Sequence, residues 1–265
     1  WRLFEVRTVG EAWNDITPFA SLGGEPVKSM LLKTHYGIGY RRSGASLVLA
    51  KTTTTVSLVV FLASGFALSL GTTGLPAAYK LVAGVGFGVL TVCTVGFFLV
   101  QRLRLTSGTL RWLHRGGLGG VERALHELRA FDEQLVAFYV GHGRRLLGAL
   151  ALGFASWMIG IVEIWLMLRL LGQPATFADA WVIEALSQLV RAAAFFVPAG
   201  IGIQEGAFLV ILSSMFGSPA LGVAIGVLRR CRQVAWLAIG IGLSWLLSLR
   251  PRAPADGDAV EEAGG

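Results

Sequence analysis

Apolar residues in this chain fall into long runs, separated by short polar connections and one long basic one. Thr52 to Leu70 and Leu81 to Val100 carry no charged residue. Each is close to the roughly 20 residues an α-helix needs to cross a bilayer. A third run carries Glu163 and Arg169 near its far end, and a fourth is interrupted by Arg229, Arg230 and Arg232. Between these two, the stretch from Trp181 to Phe216 consists of two shorter apolar pieces joined by a glycine-rich loop. The pattern predicts spans near 47–70, 81–101, 146–171 and 219–249, with a re-entrant pair over 178–216. The turn of that pair, Pro198 to Gly202, has no lysine or arginine. It therefore reads as a hairpin that dips into the membrane and returns, rather than two full crossings.

Composition agrees. Of 265 residues, 54% are hydrophobic and 15% charged, against about a quarter charged in soluble domains, and the mean hydropathy is +0.65. The chain reads as a single all-α membrane domain over 1–249, a polytopic helical bundle of the cell (inner) membrane of a bacterium. It opens on Trp1 with no signal-peptide pattern, which predicts a missing N-terminal portion. Eight arginines lie between Gln101 and Arg145, and Lys28, Lys33, Arg41, Arg42 and Lys51 precede the first clear span. By the positive-inside rule both regions are cytoplasmic, and the Gly71–Lys80 connection is outside. Within the basic region, apolar positions at helical spacing predict an amphipathic helix over 119–140 suited to the anionic inner leaflet. The net charge of +7 is accounted for by this face, and nucleic acid is not an expected partner. Residues 250–265 read as a disordered tail. Cys93 and Cys231 read as buried small hydrophobes, and no metal, cofactor or nucleotide motif is present.

The candidate chemistry lies on either side of the loop. Glu184, Ser187, Gln188 and Arg191 sit at i, i+3, i+4 and i+7, which places four polar side chains on one face of an apolar helix. Charge at such depth is costly and is usually kept for function. Glu184 and Arg191 fit either an ion pair that fixes packing or a substrate site. Pro198 ends one helix, Gly200 and Gly202 permit a sharp turn, and Glu205 fits a cap on the next helix. A similar arrangement occurs near the start, over 11–36. Asn14 and Asp15 precede Pro18, then Gly23, Gly24 and Glu25, and an apolar helix follows whose start Glu25 fits as a cap. In both stretches the proline precedes the glutamate by seven residues. Paired broken helices in two halves of a chain mark transporter folds built from repeats, so the two loops are expected to be an inverted repeat. Their half-helix N-termini would suit a phosphate or carboxylate, and Arg191 a bidentate phosphate contact. Glu163 reads as interfacial. The GxxxG spacings of Gly84/Gly88 and Gly222/Gly226 read as packing contacts.

These motifs — Asn14-x3-Pro18 with Gly23-Gly24-Glu25, then Glu184-x2-Ser187-x3-Arg191 with Pro198-x-Gly200-x-Gly202-x2-Glu205 — resemble the flippase-like membrane domain family. That family includes the transmembrane part of lysylphosphatidylglycerol synthases. The Gly-Gly-Glu-Pro form of the first loop is similar to a branch associated with hopanoid biosynthesis. The resemblance implies a helical bundle with re-entrant elements that binds or moves lipid. It also implies that aminoacyl transfer belongs to a separate soluble domain, so the chain is not expected to be an enzyme. The expected function is a lipid translocase or lipid-binding transporter, with membrane lipid and lipid-biosynthesis enzymes as partners. Its alternatives are a membrane enzyme acting on lipid-linked phosphate or sugar, and a non-transporting scaffold.

Overall fold

The computed structural model describes residues 2–17, 23–71, 76–102, 143–194, 197 and 200–248. The expected helix over 119–140, the tail over 250–265, and Pro18 and Pro198 lie outside these residues. Among the described residues every regular element is an α-helix: α1 Arg2–Ile16, α2 Gly24–Tyr36, α3 Tyr40–Gly71, α4 Ala77–Arg102, α5 Gly143–Leu170, α6 Phe177–Ala193, α7 Ile203–Phe216 and α8 Pro219–Ser248. Four are long and apolar enough to cross a membrane, through the segments Ser46–Gly71, Ala77–Gly96, Gly143–Leu170 and Pro219–Ser248. These are the four expected spans. Their outward faces are apolar, as at Val82, Val89, Val92, Leu152, Val223 and Val227, which is the surface a lipid-embedded bundle presents.

Local chemistry explains several boundaries. α3 starts at Tyr40, ahead of the expected 47. In its polar run the hydroxyls of Thr53, Thr54 and Thr55 donate to the carbonyls of Leu49, Ala50 and Lys51, which satisfies these three donors within the helix. α6 opens with a capping box. The Asp179 amide donates to the Thr176 hydroxyl, and the Thr176 amide donates to the Asp179 carboxylate. α8 is a single continuous helix through Arg229, Arg230 and Arg232, so those charges do not break the span.

α8 is the axis. α7 packs antiparallel along its N-terminal half: Gly222 lies on the backbone of Phe208 and Leu209, and Gly226 lies on Glu205. α1 packs antiparallel along its C-terminal half. Gly240 lies on Thr8 and Ala12, the Trp13 indole reaches Ser244, and Gln233 reaches Asp15. α2 then returns to the C-terminal end of α8, where His35 Nε2 is 2.9 Å from the Leu247 carbonyl oxygen. A small cluster of Val6, Val9, Leu31, Leu32 and Leu247 seals this half. The larger core joins α3, α5, α6, α7 and α8 through Phe61, Ile161, Ile164, Ile183, Phe208 and Ile225. Of the glycine pairs expected to pack, Gly222 and Gly226 do so against α7, and Gly84 meets the Phe66 ring. A side chain at Gly88 would meet nothing. Cys93 and Cys231 are exposed on the bundle surface rather than buried. In a membrane bundle a small apolar side chain is as well placed facing lipid as facing the core, so its hydrophobicity does not decide which way it points.

Gly222→Leu would drive a side chain into the α7 backbone, an overpacking cost of about 1–3 kcal/mol. It is expected to lower the thermal midpoint in detergent by several degrees, while Gly88→Leu, facing open space, leaves it unchanged.

Candidate functional site

Two polar clusters sit against the middle of α8. Their separation follows from helix periodicity, because positions three apart share a face and adjacent positions do not. Arg229 and Arg232 face α5 and α6, whereas Arg230 and Gln233 face the ends of α1 and α7.

The first cluster is buried at its centre, around Glu184 and Arg229, and opens outward at Arg232, whose side chain is 51% exposed. Glu184 is 1% exposed and Arg229 5%. Arg229 Nη2 donates to Glu184 Oε2 at 2.5 Å, and Nη1 donates to Oε1 at 3.2 Å, a bidentate pairing. The Gln188 amide donates to Glu184 Oε1 at 2.8 Å, and Ser187 donates to the Glu184 carbonyl. Arg229 also donates to the Gly160 carbonyl and lies over the Phe208 ring, 5.5 Å from its centre. Glu163 completes the cluster, 2.8 Å from Arg232 and 3.7 Å from Arg229. Two carboxylates face two guanidiniums, so the cluster is neutral. The expected polar face of α6 is therefore real for Glu184, Ser187 and Gln188. Glu184, however, pairs with Arg229 and not with Arg191, because Arg191 lies two helical turns further on, at the end of α6. Glu163 is engaged in the same network rather than being a lone interfacial charge.

The second cluster forms where α1, α6 and α7 end or begin, and it is more open. Gly200 and Gly202 hold φ of 59° and 79°, a left-handed backbone that glycine adopts without strain, and they start α7. There Glu205 Oε2 accepts from the Gly202 amide at 3.0 Å, so Glu205 is a cap. Its other oxygen accepts from Arg230 Nε at 2.6 Å. Arg230 also donates to Gln233 Oε1 at 2.9 Å, and Gln233 donates to Asp15 at 3.3 Å. Arg191 stands 4.0 Å from Asp15, beyond hydrogen-bond reach. The Arg191 side chain is 45% exposed, against 25% for Arg230. It is the loosely held cation of this cluster, and its place in the last turn of α6 suits a positive charge.

The first loop is organised differently from its expected role. Asn14 Oδ1, not Glu25, accepts from the Gly24 amide at the start of α2, at 2.7 Å. Glu25 and Glu11 each accept from Lys28 Nζ at 3.0 Å. The Lys28 stem lies on Gly10, and Gly23 and Gly24 sit tightly on Thr17 and on Gly10 with Asn14. Of the expected site residues, Arg191, Gly200, Gly202 and Glu205 gather at the second cluster. Glu184, Ser187 and Gln188 lie in the first. Asn14, Gly23, Gly24 and Glu25 stabilise the α1–α2 turn, and Pro18 and Pro198 are outside the described residues.

Residues 1–242 match the family described as the lysylphosphatidylglycerol synthase TM region. The chain belongs to that family. Among its relatives is a UPF0104 membrane protein of Methanothermobacter thermautotrophicus, 23% identical over 91% of this chain and 73% of its own length. Another is a UPF0104 membrane protein of Pyrococcus horikoshii, 24% identical over 86% of this chain and 71% of its own length. No solved structure matches. Both relatives are archaeal membrane proteins, so the matches carry a membrane setting and not a bacterial inner membrane. In this family member, the four apolar helices and the family match together make a multi-pass membrane protein.

Arg229, Arg230, Arg232 and Gln233 of α8 carry the contacts of both clusters, although along the chain the three arginines look only like interruptions of an apolar run. The signal was available in the spacing: in a spanning helix, Arg229/Arg232 and Arg230/Gln233 form two i,i+3 pairs, which demand partners on two faces. Removing one partner from a buried pair leaves an uncompensated charge and costs about 3–5 kcal/mol. Arg229→Met is therefore expected to destabilise the protein strongly, and the double variant with Glu184→Gln to recover much of the loss. Asp15→Asn, at an open pair, is expected to cost under about 1 kcal/mol. Thermal unfolding of the four proteins in detergent measures all three effects.

Proposed function

We propose that this protein is a lipid translocase or lipid-binding transporter, and that the second cluster receives the lipid headgroup. The observation that carries this reading is Arg191. It is a half-exposed guanidinium, 4.0 Å from Asp15, among groups at the middle of a membrane-spanning helix. A phosphate oxygen placed there would gain a charge-assisted contact that Asp15 does not make, beside the Gly202 end of α7.

Helix lengths support the transport part of the reading. At about 1.5 Å per residue, α1, α2, α6 and α7 are about 20–25 Å long, short of a hydrocarbon core of about 30 Å. Arg230 lies eleven residues into α8, and Glu205 eleven residues before the end of α7. Both are thus about 17 Å from the turn that joins the two helices. The α6–α7 pair reads as a hairpin entering from the N-terminal end of α8, and the α1–α2 pair as one entering from the opposite end. Their tips face each other across Asp15 and Arg191. Such an opposed pair supports reading the two loops as an inverted repeat, the arrangement of a transporter in which access alternates between two sides. With the basic regions cytoplasmic, α6–α7 enters from outside.

The test is translocation of a fluorescent phosphatidylglycerol in proteoliposomes, read by quenching of the accessible leaflet. Loss of a charged hydrogen bond of about 1.5–3 kcal/mol predicts a drop of roughly tenfold or more for Arg191→Ala. Glu205→Gln, which weakens both the cap and the hold on Arg230, is expected to act in the same direction. Unchanged translocation in both variants, at equal protein level, would remove the assignment.

A further inference from the structure

The second cluster is electrically balanced: Asp15 of α1 and Glu205 of α7 face Arg191 of α6 and Arg230 of α8. Its neighbours supply no spare cation among the described residues. One turn back on α1, Glu11 shares Lys28 of α2 with Glu25, two anions on one ammonium. On the other face of α8, Arg229 and Arg232 are engaged by Glu184 and Glu163. A phosphodiester headgroup brings one further negative charge. Received beside Arg191, it leaves an excess anion in the middle of the membrane, where unbalanced charge is costly.

The two carboxylates differ in how readily they give up their charge. Glu205 is engaged through both oxygens, by the Gly202 amide at 3.0 Å and by Arg230 Nε at 2.6 Å. Asp15 is held loosely. Its Oδ2 accepts from Gln233 Nε2 at 3.3 Å, and its Oδ1 lies 4.0 Å from Arg191 Nη2. Arg230 donates to Gln233 Oε1, which leaves the amide nitrogen turned to Asp15. Oδ2 is therefore the occupied oxygen, and Oδ1 is the one that meets whatever Arg191 holds. The Asp15 side chain is 29% exposed, so water reaches it. A phosphate on Arg191 sets two anions against one guanidinium. A proton on Oδ1 removes that repulsion and turns Asp15 into a donor to the phosphate.

We infer that an anionic headgroup binds together with one proton, which Asp15 Oδ1 takes from water and returns when the headgroup leaves. The inference rests on the headgroup reading above for where the phosphate lies. A metal cation would balance the same charge, but at this cluster it would find only Asp15 and the already engaged Glu205. No group of three metal-binding side chains occurs among the described residues.

The experiment is calorimetric titration of the detergent-purified protein with a short-chain phosphatidylglycerol, repeated in buffers of different ionisation enthalpy to count protons. Uptake of about one proton per lipid is expected, with affinity falling by up to about tenfold per pH unit as pH rises through neutrality. Asp15→Asn fixes the neutral form, so its proton count is expected to fall to near zero and its affinity to become flat with pH. A merely structural role for Asp15 would weaken binding and leave the proton count as it is. Binding by the unaltered protein without proton uptake overturns the inference. So does uptake that persists in Asp15→Asn, or binding that needs sodium in place of the proton. Arg191→Ala separates the two readings. If it weakens binding roughly tenfold while the unaltered protein takes up no proton, the headgroup site stands and the coupling falls. If it binds as the unaltered protein does while Asp15→Asn abolishes uptake, the proton site stands and the headgroup placement falls.

Discussion

Three arginines in the middle of a membrane-spanning helix are the constraint on which this fold depends. Left unpaired, each would carry the cost of a charge in hydrocarbon. Arg229 meets Glu184 and Glu163, Arg232 meets Glu163, and Arg230 meets Glu205. Those carboxylates come from α5, α6 and α7, so satisfying α8 fixes where the three helices sit and in what register. A buried pair adds little net stability compared with well-packed apolar residues, because desolvation offsets attraction. Its consequence is specificity: in lipid, helices have no hydrophobic reason to choose one neighbour over another, and paired charges supply one.

The two faces of α8 differ in how tightly their charges are held. On one, Glu184 and Arg229 are almost fully buried and bidentate, with Gln188, Ser187 and Gly160 taking up further hydrogen-bonding groups. That arrangement is closed and neutral, and it suits a fixed joint. On the other face, Arg230 and Glu205 are a quarter to a third exposed, and Arg191 and Asp15 only approach each other. Among the described residues, the ion pair between α1 and α6 is the longest.

The sequence displayed the spans, the interrupted pair over 178–216 and the polar stripe on α6, because each is a local pattern with a period. The stripe was legible for Glu184, Ser187 and Gln188, which all point inward. It misled for Arg191, where the helix ends and the same face opens onto the tip. The partners were not legible. Pairing Glu184 with Arg229 spans 45 residues, and nothing in the spacing within α6 distinguishes Arg229 from Arg191 as the partner. Glu25 was expected to cap α2, but Asn14 does so across the turn. An Asn ten residues earlier reaches the amide only once the turn has closed. The orientation of Cys93 and Cys231 was equally hidden, since lipid and core select the same residue types.

α1 and α6 end at the same point beside α8, approached from opposite ends. Cysteines placed at Asp15 and Arg191, with Cys93 and Cys231 replaced by alanine, measure it directly in native membranes. Efficient bridging by a short bis-maleimide is expected, matched by a control pair at Trp13 and Ser244 on α1 and α8. Bridging of the control pair with none between the two tips would contradict it.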